Sequence, residues 1–384
     1  PPPVIPYSRQ SISEADIEAV VAVLRSDFLT QGPAVPRFEE AVAAYCGAGH
    51  SVATSSATAA LHLACRALGL GPGDWLWTSP NTFVASANCA RYCGASVDFV
   101  DIDPHTYNLS VDRLREKLAT AEKHGRLPKV VEPVHFAGCP CDMAEIRALA
   151  DQYGFRILED ASHALGASYR GEKIGACGYS DIAVFSFHPV KMITTGEGGM
   201  AVTQDPELAD RMRLLRSHGI TRDPDRMTHE SDGPWYYQQV EFGYHYRLTD
   251  LQAALGYSQL QRLDEFVARR NQLAQRYDQL LADLPVQRPT VPADRHSSLH
   301  LYPILVDPNR RREIFESLRV AGYGVNVHYI PVHTQPEIAA TLSLSAELPA
   351  SEDYYRREIS IPLHPELTDE QQDAFTATVR ELLA

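Results

Sequence analysis

At 384 residues the chain exceeds one minimal domain, so two domains, or one large domain with a satellite, are expected. Hydrophobic residues at 44% and charged residues at 22% exclude wholesale disorder and a collagen-like chain. The 35 Lys and Arg against 49 Asp and Glu leave a net charge of −14, which opposes nucleic acid or an anionic membrane as a partner. No apolar run reaches the roughly 18 residues of a membrane span. The opening Pro1-Pro2-Pro3-Val4-Ile5-Pro6 lacks a basic region followed by an apolar core, and seven cysteines are an odd number for a disulfide framework. A cytoplasmic protein is expected.

Through the first 280 or so residues, short apolar runs alternate with amphipathic ones. Ser13 reads as the N-cap of a helix running to Leu24, and a second helix spans Phe38 to Tyr45, closed by Cys46-Gly47. A strand at Ser51–Ala53 leads through Ser55-Ser56-Ala57-Thr58 into a helix over Ala59–Leu68. Strand Trp75–Trp77, helix Phe83–Tyr92, strand Val97–Val100, helix Val111–Leu118 and strand Val130–Pro133 follow. Helix Met143–Tyr153 and strands Phe155–Leu158 and Ile182–Phe187 continue the series, and such alternation predicts a mostly parallel sheet. One long helical pattern covers Thr249 to Leu281. Pro285, Pro289 and Pro292 then mark a boundary, dividing a large α/β domain (1–284) from a small C-terminal α+β domain (285–384). The smaller part reads as strand Leu301–Val306, helix Arg311–Gly322, strands Val325–His328 and Ile359–Ile361, and helix Thr368–Leu383.

The chemistry-bearing residues gather at strand ends. Asp160 closes the run Phe155-Arg156-Ile157-Leu158-Glu159-Asp160, and ligands of parallel sheets sit beyond such carboxyl ends. Lys191 follows the strand ending at Ser186-Phe187 and precedes the small-residue loop Thr194-Thr195-Gly196-Glu197-Gly198-Gly199, where backbone can approach a ligand. A lysine and a carboxylate on one rim suit pyridoxal phosphate. The amine forms a Schiff base with the aldehyde, and the carboxylate keeps the pyridine nitrogen protonated so that the ring draws electrons. Ser55-Ser56-Ala57-Thr58 before a helix is a natural phosphate cradle, although an ordinary N-cap is the commoner use of such a cluster. Phe83 could lie on a cofactor ring or pack in the core. Cys139-Pro140-Cys141 and the pair Cys89 and Cys93 lack zinc-ligand spacing, so no metal is expected, and no dinucleotide or phosphate-loop fingerprint occurs.

Four segments resemble the DegT/DnrJ/EryC1/StrS family of sugar aminotransferases. They are Glu159-Asp160-Ala161-Ser162-His163-Ala164, Ser186-Phe187-His188-Pro189-Val190-Lys191, the stretch from Ser56 to Leu63, and Tyr246-Arg247-Leu248-Thr249-Asp250-Leu251-Gln252-Ala253-Ala254-Leu255. The similarity runs from Pro6 to the C-terminus. Three more, Pro133 to Gly138, Gly233 to Gln239 and Val327 to His333, look like the branch that acts in pseudaminic acid formation.

The resemblance implies a fold-type I enzyme with pyridoxal 5'-phosphate, a homodimer with shared active sites. L-glutamate would be the donor and a UDP-4-keto-6-deoxy-N-acetylhexosamine the acceptor. It makes Lys191 the Schiff-base lysine, Asp160 the partner of the ring nitrogen, and His163 a contact to the ring or its hydroxyl. Ala57, Thr58 and Ser186 would hold the phosphate, with Phe83 on the ring. His188 would touch substrate or, equally, hold loop backbone. Tyr7, Asp27, Phe28, Leu29 and Thr30 match segments that contact the nucleotide sugar, as do Asn326, Val327, His328 and Tyr329. Arg247 adds a positive charge beside them. The family pattern Gly-Tyr-Asn-Tyr-Arg reads Gly243-Tyr244-His245-Tyr246-Arg247 here, so His245 stands where an Asn reaches the partner's cofactor phosphate. An imidazole there would make cofactor retention depend on pH. Another UDP- or dTDP-ketosugar is the alternative acceptor. A sugar dehydrase of the same family carries histidine in place of the lysine, and a cofactor-binding regulator would not need the Asp160–Lys191 pair.

Overall fold

The computed structural model describes residues 4–342 and 347–384; the leading prolines at positions 1–3 lie outside the described residues. A seven-stranded sheet organises the larger part of the chain. In spatial order its strands are His50–Thr54, Gly199–Thr203, Ile182–Ser186, Arg156–Asp160, Val130–Glu132, Trp75–Thr78 and Ser96–Phe99. Gly199–Thr203 runs antiparallel to both neighbours, and the other pairings are parallel. The carboxyl ends of six strands therefore meet at one edge.

Local chemistry explains most element starts. Ser13 accepts from the Asp16 amide while the Asp16 carboxylate accepts from Ser13, a reciprocal cap on helix Glu14–Leu24. Thr249 with Gln252 and Thr368 with Gln371 repeat the device. Helix Met143–Tyr153 matches its expected span, and Gly154 closes it in the left-handed conformation at φ 82°. Helix Ala57–Ala67 is buried on nearly every side and starts two residues earlier than expected, because Ser56 rather than Thr58 caps it.

Other expectations are corrected. The pattern from Thr249 to Leu281 is two helices, Asp250–Leu260 and Leu263–Leu280. The break brings Ser258, Gln259 and Arg262 together on the buried Asp16 carboxylate at 2.6, 2.7 and 2.7 Å, bonds that offset its desolvation. Helix Phe83–Tyr92 begins only at Ala85. The small-residue loop after Lys191 ends in a strand, Gly199–Thr203, and helices Pro206–Arg216 and Pro349–Arg357 were not anticipated. No strand spans Val325–His328. There the His328 amide donates to the Glu358 carboxylate at 2.8 Å instead of to a strand neighbour, and Asn326 alone bridges to Ser360.

A C-terminal apolar cluster joins Leu273, Tyr277, Tyr302, Ile304, Ile359 and Phe375, with Ile5 packed against it. Ile5–Pro6 pairs in parallel with Tyr323–Gly324, so the N-terminal segment crosses to this part of the molecule. Arg270, fully buried, ties these pieces together. Its guanidinium donates to the carbonyls of Leu299, His300 and Leu363 at 3.2, 3.1 and 3.0 Å and to Ser8 Oγ at 3.4 Å. Ser8 in turn donates to the carbonyl of Val190, next to Lys191, at 3.1 Å. Burial draws the guanidinium down to about 10. Arg270→Met would leave three carbonyls without that donor, an expected cost on the order of 3 kcal/mol. A urea-unfolding midpoint unchanged from wild type would contradict that.

Candidate active site

A cavity of about 430 Å³ opens at the carboxyl edge of the sheet, within the range of roughly 300–1,000 Å³ usual for small-molecule sites. Lys191, Asp160, His163, His188, Ala57, Thr58, Phe83, Ser186, Tyr7, His328 and Tyr329 all line it. His245, Arg247, Asp27, Phe28, Leu29, Thr30, Asn326 and Val327 do not.

Asp160 ends its strand with the side chain toward the cavity. Alternation sends the preceding carboxylate, Glu159, to the other face, where His135 and Ser180 bind it. Three bonds hold the Asp160 carboxylate: Ser86 Oγ at 2.7 Å, Ser162 Oγ at 2.6 Å and the Ser162 amide at 3.1 Å. Thr82 Oγ1 lies 2.7 Å from Ser86 Oγ and steadies it. On the adjacent strand, burial first, then Cys89 and Asp160, push the Glu132 carboxyl well above the usual carboxylate range. Glu132 is thus pushed toward its neutral form, while the hydroxyl and amide donors go to Asp160.

Lys191 sits in the loop between antiparallel strands Ile182–Ser186 and Gly199–Thr203. Phe187 pins that loop: its amide donates to Gly198 at 2.9 Å, and its carbonyl accepts from the Thr195 amide and Thr194 Oγ1, both at 3.0 Å. Burial lowers the Lys191 ammonium to about 8 against the opposing pull of Asp160. His163 accepts from the Ala137 amide at Nδ1, 3.1 Å, which leaves Nε2–H for Tyr329 Oη at 3.0 Å. Burial, Lys191 and His328 hold His163 well below the ordinary imidazole value, so it is neutral. His188 is exposed at the rim and lowered by burial of its ring, with Glu197 opposing.

The fourth wall is a helix N-terminus. Ser56 accepts from Ala59, and its carbonyl accepts from Ala60, so the amides of Ala57 and Thr58 have no protein acceptor among the described residues. Gly199 makes room for this: a Cβ there would lie 2.4 Å from the Ala57 nitrogen. An amine, a carboxylate held by hydrogen-bond donors, a neutral imidazole and two free helix amides fit the aldehyde, ring nitrogen, ring and phosphate of pyridoxal phosphate. Phe83, 60% exposed at the mouth, has its ring 6.4 Å from that of Tyr329.

Several lining residues escaped the sequence reading. Ser86 could have been found, since it lies one turn beyond Phe83 where the helix starts. Ser162 adjoins Asp160. His300, its ring tilted against that of His163 with centroids 4.4 Å apart, carries no local signal because it arrives from a loop of the C-terminal part.

The remaining sequence-predicted residues lie elsewhere. The Leu29 carbonyl accepts from the Asp250 amide, and the Asp250 carboxylate accepts from Gly32 and Ala34, which fixes the 27–33 turn at another helix start. Arg247 Nη2 is 3.2 Å from His245 Nε2, so that nitrogen acts as an acceptor.

The sheet and its cavity define a pyridoxal phosphate-dependent aminotransferase of fold type I. The chain belongs to the DegT/DnrJ/EryC1/StrS aminotransferase family, whose model matches residues 10–380. It is 41% identical over 367 residues to the UDP-4-amino-4,6-dideoxy-N-acetyl-beta-L-altrosamine transaminase of Campylobacter jejuni, covering 94% of this chain and 93% of that protein. Among solved structures it is similar to Helicobacter pylori PseC, an aminotransferase involved in the biosynthesis of pseudoaminic acid. The TM-score is 0.91 and the identity 32%, over 99% of both chains. It also resembles Spr1654 of Streptococcus pneumoniae in its PMP form, with TM-score 0.89 and 31% identity over 98% of each chain.

Two outcomes follow. Cofactor loading needs the neutral Lys191 amine, so its rate should rise as pH passes through about 8. Asp160 raises that value, so in Asp160→Asn the profile should move to lower pH; stopped-flow absorbance decides, and an unmoved profile contradicts the pairing. Gly199→Ala should weaken pyridoxal phosphate by about tenfold or more while affecting phosphate-free pyridoxal less, as equilibrium dialysis would show.

Proposed function

We propose that this sugar aminotransferase moves the amino group of L-glutamate to C4 of a UDP-4-keto-6-deoxy-N-acetylhexosamine in two alternating half reactions. The observation that carries the reading is Lys191 and Asp160 facing one cavity beside a free helix N-terminus, in a chain 41% identical to a transaminase named for such a sugar. Bound pyridoxal phosphate supplies an electron sink and a temporary seat for the amino group.

The protein's part is binding and proton handling. Ala57 and Thr58 amides and Ser186 would hold the phosphate, Asp160 the ring nitrogen, and His163 and Phe83 would contact the ring. Lys191, lowered to about 8, is the base that takes the proton from the α-carbon of glutamate. In the second half it returns a proton to the sugar carbon, so one amine serves both directions. Tyr7, His328 and Tyr329 stand on the sugar side of the cavity. Asp27, Phe28, Leu29, Thr30, Asn326 and Val327 would meet the nucleotide beyond it.

The reading includes a homodimer with shared active sites, which exposed aromatic side chains favour. Phe28 and Leu29 are exposed, as are Trp235, Tyr237 and Phe242, the last by 74%, just ahead of His245 and Arg247 in sequence. A second copy would cover them and bring His245 toward the partner's phosphate cradle. Seven free cysteines are consistent with a reducing cytoplasm.

Incubation with glutamate and a panel of UDP- and dTDP-4-keto-6-deoxy sugars, read by product mass, tests the acceptor. The N-acetylated UDP sugars should gain the amine; turnover of dTDP sugars alone would replace that reading. Lys191→Ala should lose both turnover and the visible absorbance of the cofactor, and a retained spectrum would refute the assignment of Lys191.

A further inference from the structure

Behind the sugar side of the cavity lies a buried carboxyl that the transamination does not use. Glu358 begins the strand Glu358–Ile361 and is fully buried. Its Oε1 lies 2.6 Å from Ser360 Oγ, and Ser360 Oγ lies 2.7 Å from His328 Nδ1. Glu358 Oε2 accepts the His328 amide at 2.8 Å, and the Asn326–Ser360 bridge fixes the register of the two segments. His328 lines the cavity, and its Nε2 has no protein partner among the described residues. A carboxyl, a hydroxyl and an imidazole thus form one chain that ends on an open nitrogen.

We propose that Glu358, acting through Ser360, selects the tautomer of His328 and so decides whether the cavity offers the sugar a hydrogen-bond donor or an acceptor. With Glu358 protonated, Oε1–H donates to Ser360, Ser360 donates to Nδ1, and His328 presents Nε2–H. With Glu358 ionised, Nδ1–H donates to Ser360, Ser360 donates to Oε1, and Nε2 presents a lone pair. Passing from the first state to the second, the Glu358 proton moves to Ser360 and the Ser360 proton to Nδ1. The Nε2 proton leaves into the cavity, so one proton is lost in all.

The environment places this switch near working pH. Burial raises Glu358 to about 8, opposed by Ser360, the His328 amide and Arg311 of helix Arg311–Val320. Tyr354 of helix Pro349–Arg357, Tyr107 and Tyr329 also face it, and burial raises all three phenols, which stay neutral. Burial, with Lys191 adding, takes His328 down to about 3, so the ring changes tautomer rather than charge. Glu358 and Ser360 are positioning residues acting through His328. The identity of the ligand as a sugar rests on the proposed function; the relay does not.

Two-bond 1H–15N spectra of the histidine-labelled, cofactor-loaded protein test the relay, with His328 assigned by its loss in His328→Gln. Wild type should show Nε2–H below about pH 8 and Nδ1–H above it. Glu358→Gln, whose amide donates to Ser360 and cannot ionise, should keep Nε2–H throughout. Ser360→Ala should abolish the transition. One tautomer at every pH in wild type, or a transition surviving in Glu358→Gln, overturns the relay. The KM of the ketosugar should change about fivefold across the transition in wild type and not in Glu358→Gln, with the KM of glutamate unmoved. A switching tautomer with an unchanged ketosugar KM would keep the relay and overturn the sugar as its ligand. Absence of any ketosugar turnover would strike the proposed function and leave the spectra to decide the relay.

Discussion

Holding a lysine amine and an aspartate carboxylate together inside the protein is the constraint that organises this molecule. A buried amine loses its proton easily, which chemistry here requires, but a buried carboxylate needs donors to remain charged. Ser86 and Ser162 supply those donors to Asp160, while burial pushes the neighbouring Glu132 carboxyl toward its neutral form. The parallel sheet delivers Asp160 at a strand's carboxyl end. The antiparallel pairing of Gly199–Thr203 with Ile182–Ser186 turns the Lys191 loop back over the same edge. Arg270 and Ser8 then lock that loop to the C-terminal part, so the site's geometry depends on packing well outside the cavity.

The proposed phosphate seat needs no help from the global field. A chain of net charge −14 repels anions at a distance, yet backbone amides at a helix N-terminus act only at contact. The cost is steric, and it is met by a glycine: nothing larger than Gly199 leaves the Ala57 amide clear. The same logic extends to His328, which burial keeps uncharged, so that in the proposed relay it contributes direction rather than charge.

What could be read from the sequence followed the range of the interactions. Caps such as Ser13 with Asp16 act over three residues and were legible. So were Asp160 and Lys191, because strand ends and a small-residue loop mark them locally. The division of the Thr249–Leu281 pattern was not, since the break answers to Asp16, more than 240 residues away in sequence. Gly199–Thr203 was hidden because its opening glycines imitate a loop. His300, Glu358 and Ser360 reach the site from the C-terminal part, and no local spacing predicts that encounter. His245 and Arg247 lie outside the cavity, and no local pattern separates them from the residues that line it.

In the proposed reaction, Lys191 and Asp160 let one cavity take an amino group and hold it before the sugar arrives. The direct measurement uses 15N-glutamate and cofactor-loaded protein with no ketosugar present. After free glutamate is removed, the ketosugar is added. One 2-oxoglutarate per chain in the first stage, and 15N at C4 of the sugar in the second, is the predicted result. If 2-oxoglutarate forms only when both substrates are present, the account is contradicted.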